Sequence, residues 1–434
     1  MASSIAVYDV THALDQVRRC AELPPGELRL LLYLVEEKLA GRGDELHQRT
    51  IAADVFARDL SCFDPRADSI VRTTVANLRQ RLRDYYAKGG RADPVTIELI
   101  PGSYEPVFSL RCPLSARATS MLWSARAAME ARTVSGYRTA ITKLDTVLAE
   151  APSLSLALAL KAEALASQAI HGACPRPNLE QARDLAARAI EQPAPAWQAW
   201  LADGIVKQAL EWKWKEAGES YRKAIEWSSG EAAMNVWYAA FLVGRGRAKE
   251  AAAILQRAVD HFGYNNPTCT GDCSMGLILA REYDAAQAAI DAAIEAAPRY
   301  YQHHLHRAVL LEARGDPTAA LRSLGQTPVS LLERPSTWGL RAFFAGRSGS
   351  PRVARRRVSW MRALGRTGAY IPQCQIAVCW IGIGDYDEAS RYLHQAAEDR
   401  DPVAVWFWAH PVFRHLRGHR EFEDLIDIMG LVRD

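Results

Sequence analysis

Arg72, Thr73, Asn77, Gln80 and Arg83 fall on one side of a single predicted helix, Arg66–Arg91. Arginine, asparagine and glutamine carry donors and acceptors that match the edges of nucleobases, and a helix fits the DNA major groove. The chemistry this row offers is hydrogen bonding to base edges and to phosphate. Val71, Val75, Leu78, Leu82 and Tyr85 recur at helical spacing and give the helix an apolar stripe on its other side. The segment holds seven Lys/Arg against two Asp. Basic amphipathic helices also serve as solvated faces, so the helix alone leaves both readings open.

The flanking elements bear on that choice. Gly89-Gly90 stops the helix, Val95–Leu99 alternates like a strand, Pro101-Gly102 turns the chain, and Tyr104–Phe108 returns. Upstream, Leu23–Ala40 is predicted as a helix, and Ile51–Arg58 as a second one capped by Thr50. Residues 1–20 are read as a short arm or edge strand. Arg49 is either a phosphate contact or a plain surface arginine.

Residues 20–110 resemble the OmpR/PhoB-type winged-helix DNA-binding domain. The resemblance rests on Asp68-Ser69-Ile70-Val71, on Leu78-Arg79-Gln80-Arg81-Leu82, and on Ile100-Pro101-Gly102-Ser103-Tyr104. The family has glycine and tyrosine adjacent at the wing tip, whereas Ser103 separates them here. The resemblance implies three helices plus a β-hairpin wing, with the recognition helix in the major groove and the wing touching the adjacent minor groove. It makes Arg72, Thr73, Asn77, Gln80 and Arg83 readers of base or phosphate and Tyr104 a wing contact, with double-stranded DNA as the partner. Residues 1–110 carry 14 Lys/Arg and 16 Asp/Glu, a net of −2, which argues against strong non-specific DNA binding. A local field on one helix survives this, because screening acts over about 8–10 Å.

Residues 111–118 read as a linker, and the composition then turns to Ala-rich, Trp-rich helix. Ala140, Ala182, Ala217, Ala251, Ala286, Ala320, Ala354 and Ala389 recur at intervals of 34 or 35 residues after a first interval of 42. Seven residues later comes a second alanine at Ala189, Ala224, Ala258, Ala293 and Ala396, replaced by Val147, Thr327 and Met361 in the other repeats. Small residues at this period mean stacked two-helix hairpins whose helices approach closely. The pattern resembles the tetratricopeptide repeat, most fully at Tyr283–Pro298 and Tyr386–Pro402. The expected fold is therefore mainly α: a winged helix-turn-helix over 1–110, then an α-solenoid of about eight tetratricopeptide-like pairs over 119–402. Residues 403–434 form a capping segment. The long first interval is assigned to a loop at His171–Asn178.

The chain has 434 residues and a net charge of +3. No Walker loop, dinucleotide fingerprint, GxSxG or HExxH occurs, so no enzyme, metal or cofactor is expected. His303, His304 and His306, and His410, His415 and His419, are read as surface or capping histidines. The eight cysteines lack zinc-finger spacing and are read as reduced thiols of a cytoplasmic protein. Residues 1–20 lack the apolar stretch of a leader, and Lys161 and Glu163 break the most apolar segment, Leu154–Ile170, so no membrane association is expected. Trp197, Trp200, Trp237 and Tyr238 fill the space between helices or line a concave groove for a peptide or small effector. The basic helix Arg352–Arg366 reads as a solvated face, with DNA phosphate or an acidic partner as the other reading. Resemblance to bacterial regulators that join these two parts implies a transcription regulator that binds a protein, an effector or itself through its repeats. The alternative is an adaptor that does not touch DNA, or a regulatory partner of a signalling enzyme.

Overall fold

The computed structural model describes residues 10, 13–14, 16–18, 21, 23–88, 90, 95–110, 114–130, 133–171, 175–192, 195–228, 232–262, 267–298, 301–325 and 338–433. The described residues between 10 and 18 are helical, with Val10, Ala13, Leu14 and Val17 buried. This corrects the expected arm or edge strand: those four positions have the i, i+3, i+4, i+7 spacing of a helix face.

Three helices follow: α1 (Pro25–Leu39), α2 (Gln48–Phe56) and α3 (Ile70–Ala87). Helix α1 starts at a proline, whose missing N–H costs nothing at a helix N-terminus. Helix α2 begins one turn earlier than expected. The N–H of His47 donates to Thr50 Oγ1 at 3.0 Å, so Thr50 lies inside the first turn rather than ahead of it. Helix α3 buries the whole predicted stripe, Val71, Val75, Leu78, Leu82 and Tyr85. Strands β1 (Val95–Leu99) and β2 (Pro106–Leu110) pair antiparallel, from Val95 opposite Leu110 to Leu99 opposite Pro106. The turn between them needs Gly102, whose φ is +90°. The hairpin is fixed to α3, since Ile97 N–H donates to Tyr86 Oη at 2.9 Å and Arg79 donates to the carbonyls of Leu99 (2.5 Å) and Ile100 (3.2 Å). Lys38 of α1 pairs with Glu105 at the start of the returning strand.

From residue 116 onward the chain is helical hairpins. The pairs are α4/α5 (Ala116–Glu130, Val134–Glu150), α6/α7 (Ser155–Ile170, Pro175–Ile190), α8/α9 (Trp197–Val206, Trp214–Trp227) and α10/α11 (Ala232–Gly244, Ala248–Phe262). They continue as α12/α13 (Pro267–Leu279, Tyr283–Ala296), α14/α15 (Tyr301–Ala313, Pro317–Gly325), α16/α17 (Leu340–Arg347, Pro351–Gly365) and α18/α19 (Gln373–Ile383, Tyr386–Glu398). Each pair packs against the next, giving a tetratricopeptide-like solenoid. The eight anchor alanines all lie on second helices and are fully buried. A methyl group is what the close helix approach at each pair admits. The positions seven residues on are buried as well, except Thr327, which lies outside the described residues.

The second half of the expected loop at His171–Asn178 is helix. Residues 172–174 are outside the described residues, but Pro175–Asn178 form the first turn of α7, and α6 and α7 are 16 residues each. The extra residues lengthen both helices of that pair.

After α19 come two 3₁₀ segments, Pro402–Trp406 and Pro411–Leu416, and helix α20 (Arg420–Ile428). This tail does more than cover the last pair. Trp406 Nε1 donates to Ala240 O at 3.0 Å, Arg414 to Ala313 O at 2.8 Å, Arg245 to Gly430 O at 2.7 Å, and Trp214 Nε1 to Met429 O at 3.0 Å. The tail returns across the inner face to the sixth, fourth and third pairs.

Candidate functional site

Two surfaces could bind something, and the first is the outer face of α3. Arg72, Thr73, Asn77, Gln80 and Arg83 are all exposed, opposite the buried stripe. Several cationic and amide groups on this helix already have intramolecular partners. The Arg72 guanidinium donates to Pro65 O, Gln80 Nε2 donates to Asp84 Oδ1 at 2.9 Å, and Arg81 pairs with the buried Glu27 at 3.0 Å. Arg49, in the first turn of α2, donates to Leu60 O at 2.9 Å. Tyr104 is half-buried and its hydroxyl accepts from Gln48 Nε2 at 2.5 Å, which ties the hairpin tip to α2.

The second surface is inside the array. A cavity of about 280 Å³ lies between the first helices of successive pairs and the returning tail. Its helical wall comes from α6, α10, α12, α14, α16 and α18, and its other wall from residues 403–413. Trp237 lines it. Tyr238 lies beside that wall and stacks on Phe241 with centroids 6.2 Å apart. Trp197 is buried in the core and offers no surface to a partner, which corrects its place in the candidate groove. Trp200 is half-buried, with the Lys223 ammonium 4.1 Å above its ring.

His303, His304 and His306 are also corrected. They are buried within α14 instead of lying on the surface. Burial, with His304 nearby, pulls His303 down to about 4, and burial, with His303 nearby, pulls His306 down to about 3. His410 on the tail is lowered to about 4 by burial. His415 belongs to a different cluster: its Nε2 lies 2.9 Å from Glu312 Oε1, and Arg414 donates to the same residue. Glu312 is fully buried, so this cluster joins the tail to α14 by a carboxylate shared between two bases. Among the described residues, no group of three His, Cys, Asp or Glu is placed to hold a metal ion, and no helix is long and apolar enough to cross a membrane. Cys62 is exposed, while Cys273, Cys374 and Cys379 are buried free thiols.

The basic helix α17 exposes Arg352, Arg355 and Arg356, and Arg366 is exposed just past its end. Arg362 is held by Tyr392 Oη at 2.6 Å, and Arg357 lies 4.6 Å over Trp360. Sequence reasoning missed the tail residues Trp406, His410 and Phe413 as cavity walls. The available signal was two histidine clusters a hundred residues apart, from which the fold brings His306 and His410 to one cavity.

No protein-family model matches the chain, and no curated protein matches it. Among solved structures, "YrrB: a TPR protein with an unusual peptide-binding site" is 22% identical, covers 42% of this chain and 89% of that one, and gives a TM-score of 0.29. The APC/C hetero-tetramer Cut9–Hcn1 is 14% identical over 98% of this chain and 68% of that one, at a TM-score of 0.45. Yeast Tom70 is 14% identical over 97% and 89%, at 0.42. Likeness at these scores is silent on what this chain binds.

Proposed function

We propose that the helical array is a binding scaffold working through its inner face, and that the N-terminal unit is a winged-helix DNA reader under its control. In this reading the chain is a non-enzymatic bacterial transcription regulator acting in the cytoplasm. The observation that supports the binding role is the half-open cavity between first helices and tail. The DNA role is supported by α3, which exposes Arg72, Thr73, Asn77, Gln80 and Arg83 while a hairpin fixed through Arg79 lies beside it. The helix would enter the major groove, and the hairpin, with Tyr104 near its tip, would contact the adjacent minor groove or backbone. One short helix and one wing give modest affinity, so the expected target is a pair of half-sites bound by two copies.

A second reading is an adaptor that binds proteins through the array and leaves DNA alone. It is favoured by the groups on α3 already engaged within the chain, Arg72, Gln80 and Arg81, and by the unit's net charge of −2.

Genome-wide DNA capture with the full chain, beside an Arg72/Asn77/Gln80 triple-alanine variant, separates the two. The DNA reading expects a few sharp sites that vanish in the variant and a retention that falls steeply with salt, since phosphate contacts release counterions. No enrichment in either form would leave the adaptor.

A further inference from the structure

We propose that the cavity between the inner helices and the tail is a binding site for a small uncharged molecule, a flat and mostly apolar ring system carrying one hydrogen-bond donor and one acceptor. This rests on the reading of the array as a scaffold that binds through its inner face, and it names the ligand class.

Size selects first. At about 280 Å³ the space lies at the lower edge of the range of roughly 300–1,000 Å³ that holds drug-sized ligands. Charge selects next. None of the residues lining the cavity is Asp, Glu, Lys or Arg. Its histidines, the buried His306 and the half-buried His410, stay neutral near pH 7, because desolvation lowers both well below the ordinary histidine value. A charged ligand would lose its hydration here and meet no countercharge. Its neutral counterpart would bury its rings against Trp237, Trp406 and Phe413 at no such cost.

The polar pattern follows from two hydrogen bonds. Val412 N–H donates to His410 Nδ1 at 3.3 Å. The proton of that neutral ring is therefore on Nε2, which is a donor. Ser274 Oγ uses its single proton on Gly271 O at 2.7 Å. With that proton on the shorter contact, His306 Nδ1 at 3.1 Å donates to Ser274 Oγ and its Nε2 is the acceptor. Both histidines line the cavity, one on the tail and one on α14. A ligand that uses both bridges the tail to the array. Gln302, on the same wall, adds a side-chain oxygen with no hydrogen-bond partner among the described residues.

The test uses the full chain with indole-3-carboxamide and quinolin-2-one as uncharged probes and indole-3-carboxylate as the charged isostere. Saturation-transfer NMR and tryptophan fluorescence read binding, since Trp237 and Trp406 stand in the walls. At least one uncharged probe is expected to bind saturably in the millimolar range or tighter, and the carboxylate at least tenfold more weakly. Ala240→Phe, which fills the cavity, should weaken the probe at least tenfold, and His306→Phe, which keeps the apolar wall and removes the acceptor, should weaken it several-fold. In the wild-type chain the bound probe should slow amide exchange in residues 402–413, because it stabilises the closed tail by mass action. The proposal is overturned if the carboxylate binds as well as the amide, if neither uncharged probe binds at millimolar concentration, or if exchange in 402–413 is unmoved by a probe that binds. A chain that binds no probe, yet cross-links to a protein through its inner helices, loses only the ligand class. One that binds no probe and cross-links to nothing there loses the scaffold reading too.

Discussion

His306 illustrates how one side chain can link the array's stability to acidity. Its ring is buried on α14, and its folded value of about 3 lies well below the roughly 6.5 of a free histidine. Near pH 7 neither state carries the proton. As pH falls through 6.5 the unfolded chain takes one up and the folded chain does not, so stability drops by about 1.4 kcal/mol per pH unit. By pH 5 this residue alone costs about 2 kcal/mol. Urea melts at pH 7 and pH 5 on wild type and His306→Gln should show the acid loss reduced by that amount in the variant, and an identical loss in both would refute the assignment. If α3 reads DNA as proposed, Asn77→Ala should cost about 1–3 kcal/mol at one base position of the bound site. On the same reading, an Arg83 that meets phosphate would make Arg83→Ala weaken all sequences alike and lower the salt slope by about one. Binding titrations on operator variants at several salt concentrations read both. At this scale the apolar stripe of α3 was legible, because five residues at helical spacing leave one face to bury. The partners that occupy Arg72 and Arg79 were not, since both donate to backbone carbonyls that only a closed turn and hairpin bring near.

At the scale of elements, the array was readable because its repeat is written in the one residue type that cannot vary in size. The eight anchor alanines mark second helices, and each is fully buried. First helices carry no such mark where backbones themselves touch. A Cβ on Gly382 would lie 2.6 Å from Phe343 Cα, and one on Gly346 would lie 2.4 Å from Gly382 O. Helices α16 and α18 thus cross with main chain against main chain. Gly382→Ala should therefore destabilise by about 1–3 kcal/mol through overpacking, with the loss seen as faster amide exchange in α16 and α18. An unchanged melting temperature would show that the crossing can open freely. The tail's latch is a second element-level test. Arg414→Ala leaves the buried Glu312 carboxylate with His415 as its remaining side-chain partner, and removing one partner of a buried pair costs about 3–5 kcal/mol. Since Arg414 is itself partly exposed, the lower end of that range is expected, together with new protease cleavage in 402–431. Glu312→Gln with Arg414→Ala should recover part of the loss. Sequence pattern placed the tail at the end of the array but not across its inner face, because contacts between residues 166 to 215 positions apart leave no periodic trace.

For the molecule as a whole, the N-terminal unit and the array have separate logics: one exposes a polar helix face beside a hairpin, and the other lines a half-open apolar space. An open stack of repeats melts piecemeal, because each pair contacts only its neighbours and the terminal pairs fray first. This chain breaks that rule, since its last segment touches the third, fourth and sixth pairs directly. Denaturant unfolding of the array should be a single sharp transition, and a stop codon after Arg400 should split it into broader, separate ones. The returning tail also orders events during synthesis. The inner face is built from α6 onward, yet residues 403–413 that cover it are translated after every array helix that lines the cavity. A growing chain on the ribosome must therefore display an uncovered apolar lumen until residues 403–413 emerge, and during that interval it depends on chaperones or on speed.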